Sequence, residues 1–142
     1  MKEHLYKKFI SQLEKTEKEG YYFESAWISY VLLEDRLGSI LRSSGGELNS
    51  SGKKIIMMGP KIEEIKKRIE KNDILKGHLV VNSMIAKLEK WKKKRNLLMH
   101  SMADGTFTIA NIQKAITLLA KNGIELTRDF ASAARRIKKH NH

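Results

Sequence analysis

The chain has 142 residues, a length typical of one domain with its own hydrophobic core. It carries 28 Lys and Arg residues against 16 Asp and Glu, a formal net charge of +12, and it has no cysteine. The lack of cysteine excludes disulfide scaffolds, thiol nucleophiles and zinc fingers. The positive charge favours a polyanionic partner, with nucleic acid as the first candidate and an anionic membrane surface as the second. The 41% of hydrophobic residues argues against a disordered basic tail.

The charge is concentrated in the second half of the chain. Residues 1–71 contain 14 basic and 11 acidic residues, a charge of +3, whereas residues 72–142 contain 14 and 5, a charge of +9. We therefore expect the partner-facing surface to come mainly from the second half. The start of the chain lacks the apolar core of a signal peptide, and the longest apolar stretch, 26–33, is shorter than the ~20 residues of a membrane span. The sequence thus predicts a cytoplasmic protein without membrane contact.

Helical spacing of apolar residues runs through the whole sequence, and strand-like alternation is nearly absent. The first helix is predicted over 2–18, with Gly20 as its end. The second helix is predicted over 21–43. A flexible loop rich in glycine and serine is expected over 43–59, and a third helix over 61–71.

Three further helices are predicted in the second half. The fourth starts near Asn82 or Ser83 and stops at Asp104-Gly105. The fifth covers 109–121 and ends at Asn122-Gly123, and the sixth takes the remainder. Short connections favour antiparallel neighbours. The expected fold is therefore an all-α, up-and-down antiparallel bundle of five to six helices, forming one domain over residues 1–142.

The second predicted helix is apolar on so many sides that it should lie at the centre of the bundle. Its Phe23, Trp27 and Tyr30 are expected in the core, together with Trp91 of the fourth helix. Glu34 falls on the same stripe as Tyr30. A carboxylate in that position needs a cationic or hydrogen-bonding partner, and Arg95 is a candidate.

The stretch from Trp91 to His100 is the part of the sequence that could carry chemistry. Arg95 can bind a phosphate oxygen through two N–H groups and stabilise charge that builds up on the phosphate. His100 follows five residues later, and a histidine with an ordinary pKa of about 6.5 can accept or donate a proton at neutral pH. Asn96 shares a helix face with His100 and can orient the imidazole or contact phosphate. Electrostatic attraction of an RNA backbone is expected from Lys92, Lys93 and Lys94.

An arginine, an asparagine and a histidine in this arrangement suit the cleavage of an RNA phosphodiester without a metal or cofactor. One histidine cannot act as base and as acid in the same event, so the chemistry requires two. A two-fold dimer would bring a second Arg95 and His100 to the same cleft. The chemistry therefore predicts a homodimer.

The order Arg95-Asn96, three residues, His100 resembles the Arg-x-x-x-x-His signature of HEPN domains. The long apolar helix that contains Glu34 and Asp35 is similar to the first conserved helix of that family, which has an acidic residue late in an apolar run. The resemblance covers about 21–137. It implies an all-α bundle that dimerises and an endoribonuclease that acts without metal, in toxin–antitoxin, abortive-infection or CRISPR-associated defence.

The resemblance also implies roles for individual residues. Arg95 and His100 would be catalytic, Asn96 would support them, and Glu34 or Asp35 would hold the arginine. The 2′-hydroxyl would attack, leaving a cyclic phosphate and a 5′-hydroxyl. Many HEPN toxins paired with a nucleotidyltransferase antitoxin carry a tyrosine two residues after the histidine, where this chain has Met102, which puts that particular partner in doubt.

Other interpretations of the same sequence stay open. In one of them the chain is a non-catalytic basic module that binds RNA or protein. In another it is a helical subunit that makes protein contacts only. The lysines of 92–94 would then form a solvated helix face. The end of the chain, His140-Asn141-His142, is either a metal-binding group or a frayed tail.

Overall fold

The computed structural model describes residues 1–140, which form an all-α bundle, as the sequence predicts. No helix in this part of the chain is both long enough and apolar enough to cross a membrane. Residues 141 and 142 lie outside the described residues, so of the metal-binding group suggested for the chain end only His140 is described. The helices are α1 (Glu3–Glu19), α2 (Tyr22–Arg42), α3 (Met58–Ile69), α4 (Asp73–Leu75), α5 (Met84–Ala103) and α6 (Ile109–His140).

Helix α1 turns back onto α2 at Gly20, as the sequence predicts. Gly20 has a φ of 76°, a left-handed conformation that glycine adopts without steric cost, and its N–H donates to the Glu17 carbonyl. A buried hydrogen bond of 2.9 Å from Ser25 Oγ to Thr16 Oγ1 then joins the two helices. The short turn and this bond fix α1 against the side of α2 that carries Ser25.

Helix α3 runs in the same general direction as α2, because the connection over 43–57 carries the chain back along the bundle. Near the start of α3, Lys61 Nζ donates to the Glu34 carbonyl at 3.2 Å. Near its end, Arg68 Nη1 donates to the Leu41 carbonyl at 3.0 Å, and Arg68 Nη2 donates to the Gly46 carbonyl at 2.7 Å. Arg68 therefore ties the end of α2 to the start of the connection.

Helix α5 runs opposite to α3 and hence opposite to α2. Glu89, early in α5, accepts from Lys66 at 3.4 Å. Lys92, one turn later, lies against Gly59 at the start of α3, where a Cβ would be 2.9 Å from Lys92 Nζ. The C-terminal half of α5 thus points toward the end of the bundle at which α2 begins.

The core is built where α2 and α5 meet the long helix α6. Trp91 fills the junction, as expected of a core residue: its Nε1 donates to the Leu119 carbonyl at 2.8 Å. The ring also lies against Gly123, where a Cβ would be 2.8 Å from Trp91 Cζ2 and 3.1 Å from Ser29 Cβ. The predicted break at Asn122-Gly123 is wrong, since α6 is continuous. Gly123 permits close packing of helices rather than ending one.

The helical segment between α3 and α5 is not among the predicted elements. Asn72 Oδ1 accepts the Leu75 N–H at 3.1 Å and so caps α4, which continues into a π-helical turn over Lys76–Val80. Leu75 and Leu79 are both fully buried. This segment closes the end of the bundle opposite to the start of α2.

Candidate functional site

Arg95 lies on α5 and is held by two neighbours. Its guanidinium carbon is 4.1 Å from the centroid of the Tyr30 ring, a cation–π arrangement with α2. Its Nη1 donates to Asn96 Oδ1 at 3.3 Å. The side chain is half-buried, so part of the guanidinium, which has five N–H donors, faces solvent. The arrangement leaves Arg95 oriented and able to bind an anion.

Tyr30 contacts Arg95 and is not among the site residues that the sequence predicts. Burial raises the pKa of its hydroxyl, and the charge of Glu34 adds to that rise while the charge of Arg95 opposes it. The phenol is therefore neutral at physiological pH, and its ring serves as a face for the arginine. The ring also lies 6.4 Å from the ring of Trp91, which connects it to the core.

His100 lies in the last turn of α5 and is exposed. A separation of five residues places it about 140° around the helix from Arg95, whereas Asn96 shares its face. A single chain therefore presents Arg95 and His100 on different sides of the C-terminal half of α5.

Asp104 is a charged neighbour of this helix end that the sequence predicts only as a helix stop. It follows α5 and accepts hydrogen bonds from Thr106, through the backbone N–H at 3.0 Å and the hydroxyl at 2.8 Å. These bonds lower the pKa of the Asp104 carboxyl, and the charge of His100 adds to the effect. Asp104 thus adds a carboxylate just beyond the last turn of α5.

The three lysines before Arg95 point to different sides of α5. Lys92 is half-buried against Gly59. Lys93 lies with Lys92 and Asn96 around a shallow cavity of about 170 Å³ between α3 and α5. Lys94 lies on the other side, at a cavity of about 250 Å³ between α5 and α6. Lys92 and Lys93 therefore share one side of α5 and Lys94 lies on another, so the three lysines do not form one patch.

The carboxylates Glu34 and Asp35 have ionic partners other than Arg95. Glu34 Oε1 lies 3.9 Å from Lys61 Nζ. Asp35 Oδ2 accepts from Arg36 Nε at 3.1 Å, and Asp35 Oδ1 lies 3.2 Å from the Met1 amino group. Burial raises the pKa of Asp35, but the hydrogen bonds and charges of Arg36 and of the amino group bring it below its usual value. The geometry thus gives Arg95 an aromatic ring where the sequence suggests a carboxylate.

Two aromatic residues expected in the core are exposed. Trp27 is 70% exposed and Phe23 is 50% exposed, on the outer side of α2, and Tyr30 is half-buried. The core prediction is wrong for Phe23 and Trp27. The apolar residues of α2 are too many to define one inward face, because its buried residues already include Leu32, Leu33, Leu37, Ile40 and Leu41.

Within residues 1–140, no group of three His, Asp or Glu side chains is arranged to hold a metal ion. Comparison of the chain with protein-family models, with curated proteins and with solved structures finds no match. The candidate site is therefore described from the positions of its own residues. An oriented arginine and an exposed histidine share the end of one helix, and two exposed aromatic rings lie on the neighbouring helix.

Proposed function

We propose that this chain is an endoribonuclease of the HEPN type, which cleaves RNA without a metal at a site shared between two copies of the chain. The observation that supports the proposal is that the C-terminal half of α5 carries Arg95, hydrogen-bonded to Asn96, and the exposed His100. These residue types supply a phosphate-binding fork and a proton carrier.

The proposed reaction needs two proton transfers. One imidazole takes the proton from the RNA 2′-hydroxyl, whose oxygen attacks the adjacent phosphorus. A second imidazole gives a proton to the departing 5′-oxygen, so that the products are a 2′,3′-cyclic phosphate and a 5′-hydroxyl. Arg95 stabilises the charge on the phosphate oxygens as the bond forms. Each chain has one histidine at the site, and the second one is His100 of the partner subunit.

The surface around His100 supports a contact between two copies. Leu97 is 61% exposed and Met99 is 53% exposed, close to His100 along α5. Exposed apolar side chains beside a polar site are typical of an interaction surface. A two-fold contact on the side of α5 that carries Leu97 would cover Leu97 and bring the two histidines into one cleft.

The wider role follows from the HEPN resemblance. We propose that the chain acts in the cytoplasm on RNA, as a toxin or a defence effector, and that an antitoxin or operon partner restrains it. Met102 stands where many nucleotidyltransferase-paired toxins have tyrosine, so restraint by modification of that tyrosine does not belong to the proposal.

The direct test is cleavage of a labelled RNA by the purified protein in excess EDTA. We expect a cyclic phosphate product with the wild-type chain and no product with His100→Ala or Arg95→Ala. Lys66→Gln is a matched control, because Lys66 pairs with Glu63 and Glu89 away from the site. The proposal would be refuted if the wild-type chain did not cleave the RNA, or if both site variants cleaved it as fast as the wild-type chain.

A non-catalytic RNA-binding module is the second candidate. The exposed rings of Phe23 and Trp27 favour it, because exposed aromatic residues beside cations are a common way to hold nucleic acid. In that case RNA binding is salt-sensitive, depends on the cations of α5 and is indifferent to His100→Ala.

A further inference from the structure

The exposed rings of α2 follow one line along the helix. Phe23, Trp27 and Tyr30 are separated by four and three residues, the spacing of neighbours on one face of a helix. Phe23 and Trp27 are the most exposed of the three. We call these two residues, with Tyr30 at their inner end, the aromatic stripe.

The aromatic stripe ends at Arg95. The guanidinium covers the face of Tyr30 at 4.1 Å, so the ring is already occupied, whereas Trp27 and Phe23 continue beyond it. Helix α5 runs opposite to α2, and Met99 and Met102 follow Arg95 at the same four- and three-residue spacing. Two exposed lines, one on each helix, therefore lead from Arg95 toward the same end of the bundle.

From this geometry we infer that Trp27 and Phe23 stack on unpaired bases of a single-stranded RNA whose phosphate is bound by Arg95. The inference rests on the proposed function for the role of Arg95, and it adds the form of the substrate. Every base has a π-face, and stacking on an aromatic side chain stabilises binding by about 1–3 kcal/mol per base. Arg95 at the end of the stripe supplies the positive charge that the backbone requires.

The spacing of the rings selects single strands over duplexes. Phe23 and Trp27 are four residues apart, or about 6 Å along the helix axis. That distance exceeds the ~3.4 Å between successive bases of a stacked strand. Neighbouring bases must therefore separate to lie on neighbouring rings. A paired and stacked duplex does not expose its base faces in this way.

An RNA occupant satisfies the charge at this surface better than an apolar protein partner. A protein surface that covered the stripe would also cover the guanidinium of Arg95, and burying that charge without a carboxylate or phosphate is costly. RNA brings the phosphate with the base. Binding of a second copy to the stripe is therefore an alternative outcome of the test.

The chain offers a specific probe for the inference. It has two tryptophans. Trp91 is 3% exposed and Trp27 is 70% exposed, so an added ligand quenches chiefly Trp27. The ligand is a single-stranded RNA made of 2′-O-methyl nucleotides, which cannot undergo 2′-hydroxyl attack, and the comparison is the same strand annealed to its complement. We expect quenching by the single strand and little by the duplex.

Variants then assign the effect to the stripe. Trp27→Leu should weaken binding of the dye-labelled 2′-O-methyl strand about fivefold or more, measured by fluorescence anisotropy. Trp27→Tyr, which keeps a stacking face, should restore most of the affinity. Leu118→Ala, an exposed apolar residue on α6, is the matched control and should leave binding unchanged.

Three results would overturn the inference. The first is equal quenching by the single strand and the duplex, and the second is an unchanged RNA affinity of Trp27→Leu. The third is a blue shift of Trp27 emission as the protein concentration rises without RNA, because this shift would assign the stripe to contact with a second copy. Because the modified strand reports binding alone, a chain that binds it through Trp27 but cleaves no RNA refutes the proposed function and keeps the stacking surface. A chain that cleaves RNA equally well after Trp27→Leu does the reverse.

Discussion

Arg95 carries the phosphate-binding step of the proposed reaction, and its guanidinium rests on the ring of Tyr30. An aromatic face orients an arginine without occupying its N–H donors, whereas a carboxylate would compete with phosphate for them. Asn96 takes one donor at the edge of the guanidinium. The donors on the solvent side can then bind an incoming phosphate. Tyr30 is thus a positioning residue for Arg95.

Substitution of Tyr30 should separate the effect of its ring from that of its hydroxyl. We expect Tyr30→Leu to lower kcat for RNA cleavage about two- to thirtyfold, the equivalent of the ~0.5–2 kcal/mol of a cation–π contact, with a smaller change in KM. Tyr30→Phe keeps the ring and should retain near wild-type kcat. The Arg95 side-chain NMR signals should lose their ring-current shift in Tyr30→Leu only. Equal loss of kcat in both variants would show that the hydroxyl matters instead.

The sequence is sufficient to assign some of these residues and insufficient for others. Trp91 is predicted in the core and is there, because the large apolar residues in the first half of its helix all lie on one inward side. Trp27 is misplaced because α2 is apolar on most of its circumference, so spacing alone does not define its inward face. The Arg95–Tyr30 contact depends on how two distant helices pack, which local spacing does not encode. The catalytic roles of Arg95 and His100 stay predictions.

In helix α6, an Asn-Gly pair that predicts a helix end lies inside a continuous helix. Asn-Gly commonly ends a helix because both residues tolerate a left-handed conformation. In α6 the glycine instead serves close packing, since Trp91 and Ser29 fill the space where a side chain would be. The signals at Gly20 and at Asp104-Gly105 do end their helices, and nothing lies within 4 Å of a Cβ placed on either glycine. The distinction is a matter of tertiary contact and is absent from the local sequence.

Replacement of Gly123 tests this explanation. An added Cβ would meet the Trp91 ring at 2.8 Å. Although alanine favours a helix by about 1 kcal/mol over glycine, overpacking should dominate and lower the free energy of unfolding by about 1–3 kcal/mol. Gly77→Ala is the control, because nothing lies within 4 Å of its Cβ position. Denaturant unfolding measures both. A Gly123→Ala variant as stable as wild type would contradict the packing role.

Over the whole molecule, the surplus of positive charge lies mostly after residue 71, yet the lysines of 92–94 point to different sides of α5. A distributed charge of this kind attracts RNA over a broad surface rather than at one point. It favours rapid association and sensitivity to salt. Local contacts at Arg95 and the aromatic stripe would then fix the strand in place.

The salt dependence of RNA binding measures this distributed contribution. Replacing Lys93 and Lys94 with glutamine should reduce the slope of log affinity against log salt by about 1.4, because each phosphate of a single strand that a lysine neutralises adds about 0.7 to the slope. Lys66→Gln should leave the slope unchanged, because Lys66 is already paired with Glu63 and Glu89. Affinities of a 2′-O-methyl RNA across a series of salt concentrations give the slopes. An unchanged slope in the double variant would place RNA elsewhere on the molecule.

In the proposed mechanism two copies of the chain share one cleavage site, so mixing of wild-type and inactive subunits should lower the activity more than in proportion. Wild-type and His100→Ala chains are combined at fixed total concentration, subunit exchange is verified by native mass spectrometry, and the initial rate of RNA cleavage in EDTA is measured. If each site needs both histidines, the rate follows the square of the wild-type fraction, so an equal mixture retains about a quarter of the rate. A rate that falls in direct proportion to the wild-type fraction, or a wild-type chain that does not cleave RNA, would exclude a cleavage site shared by two copies.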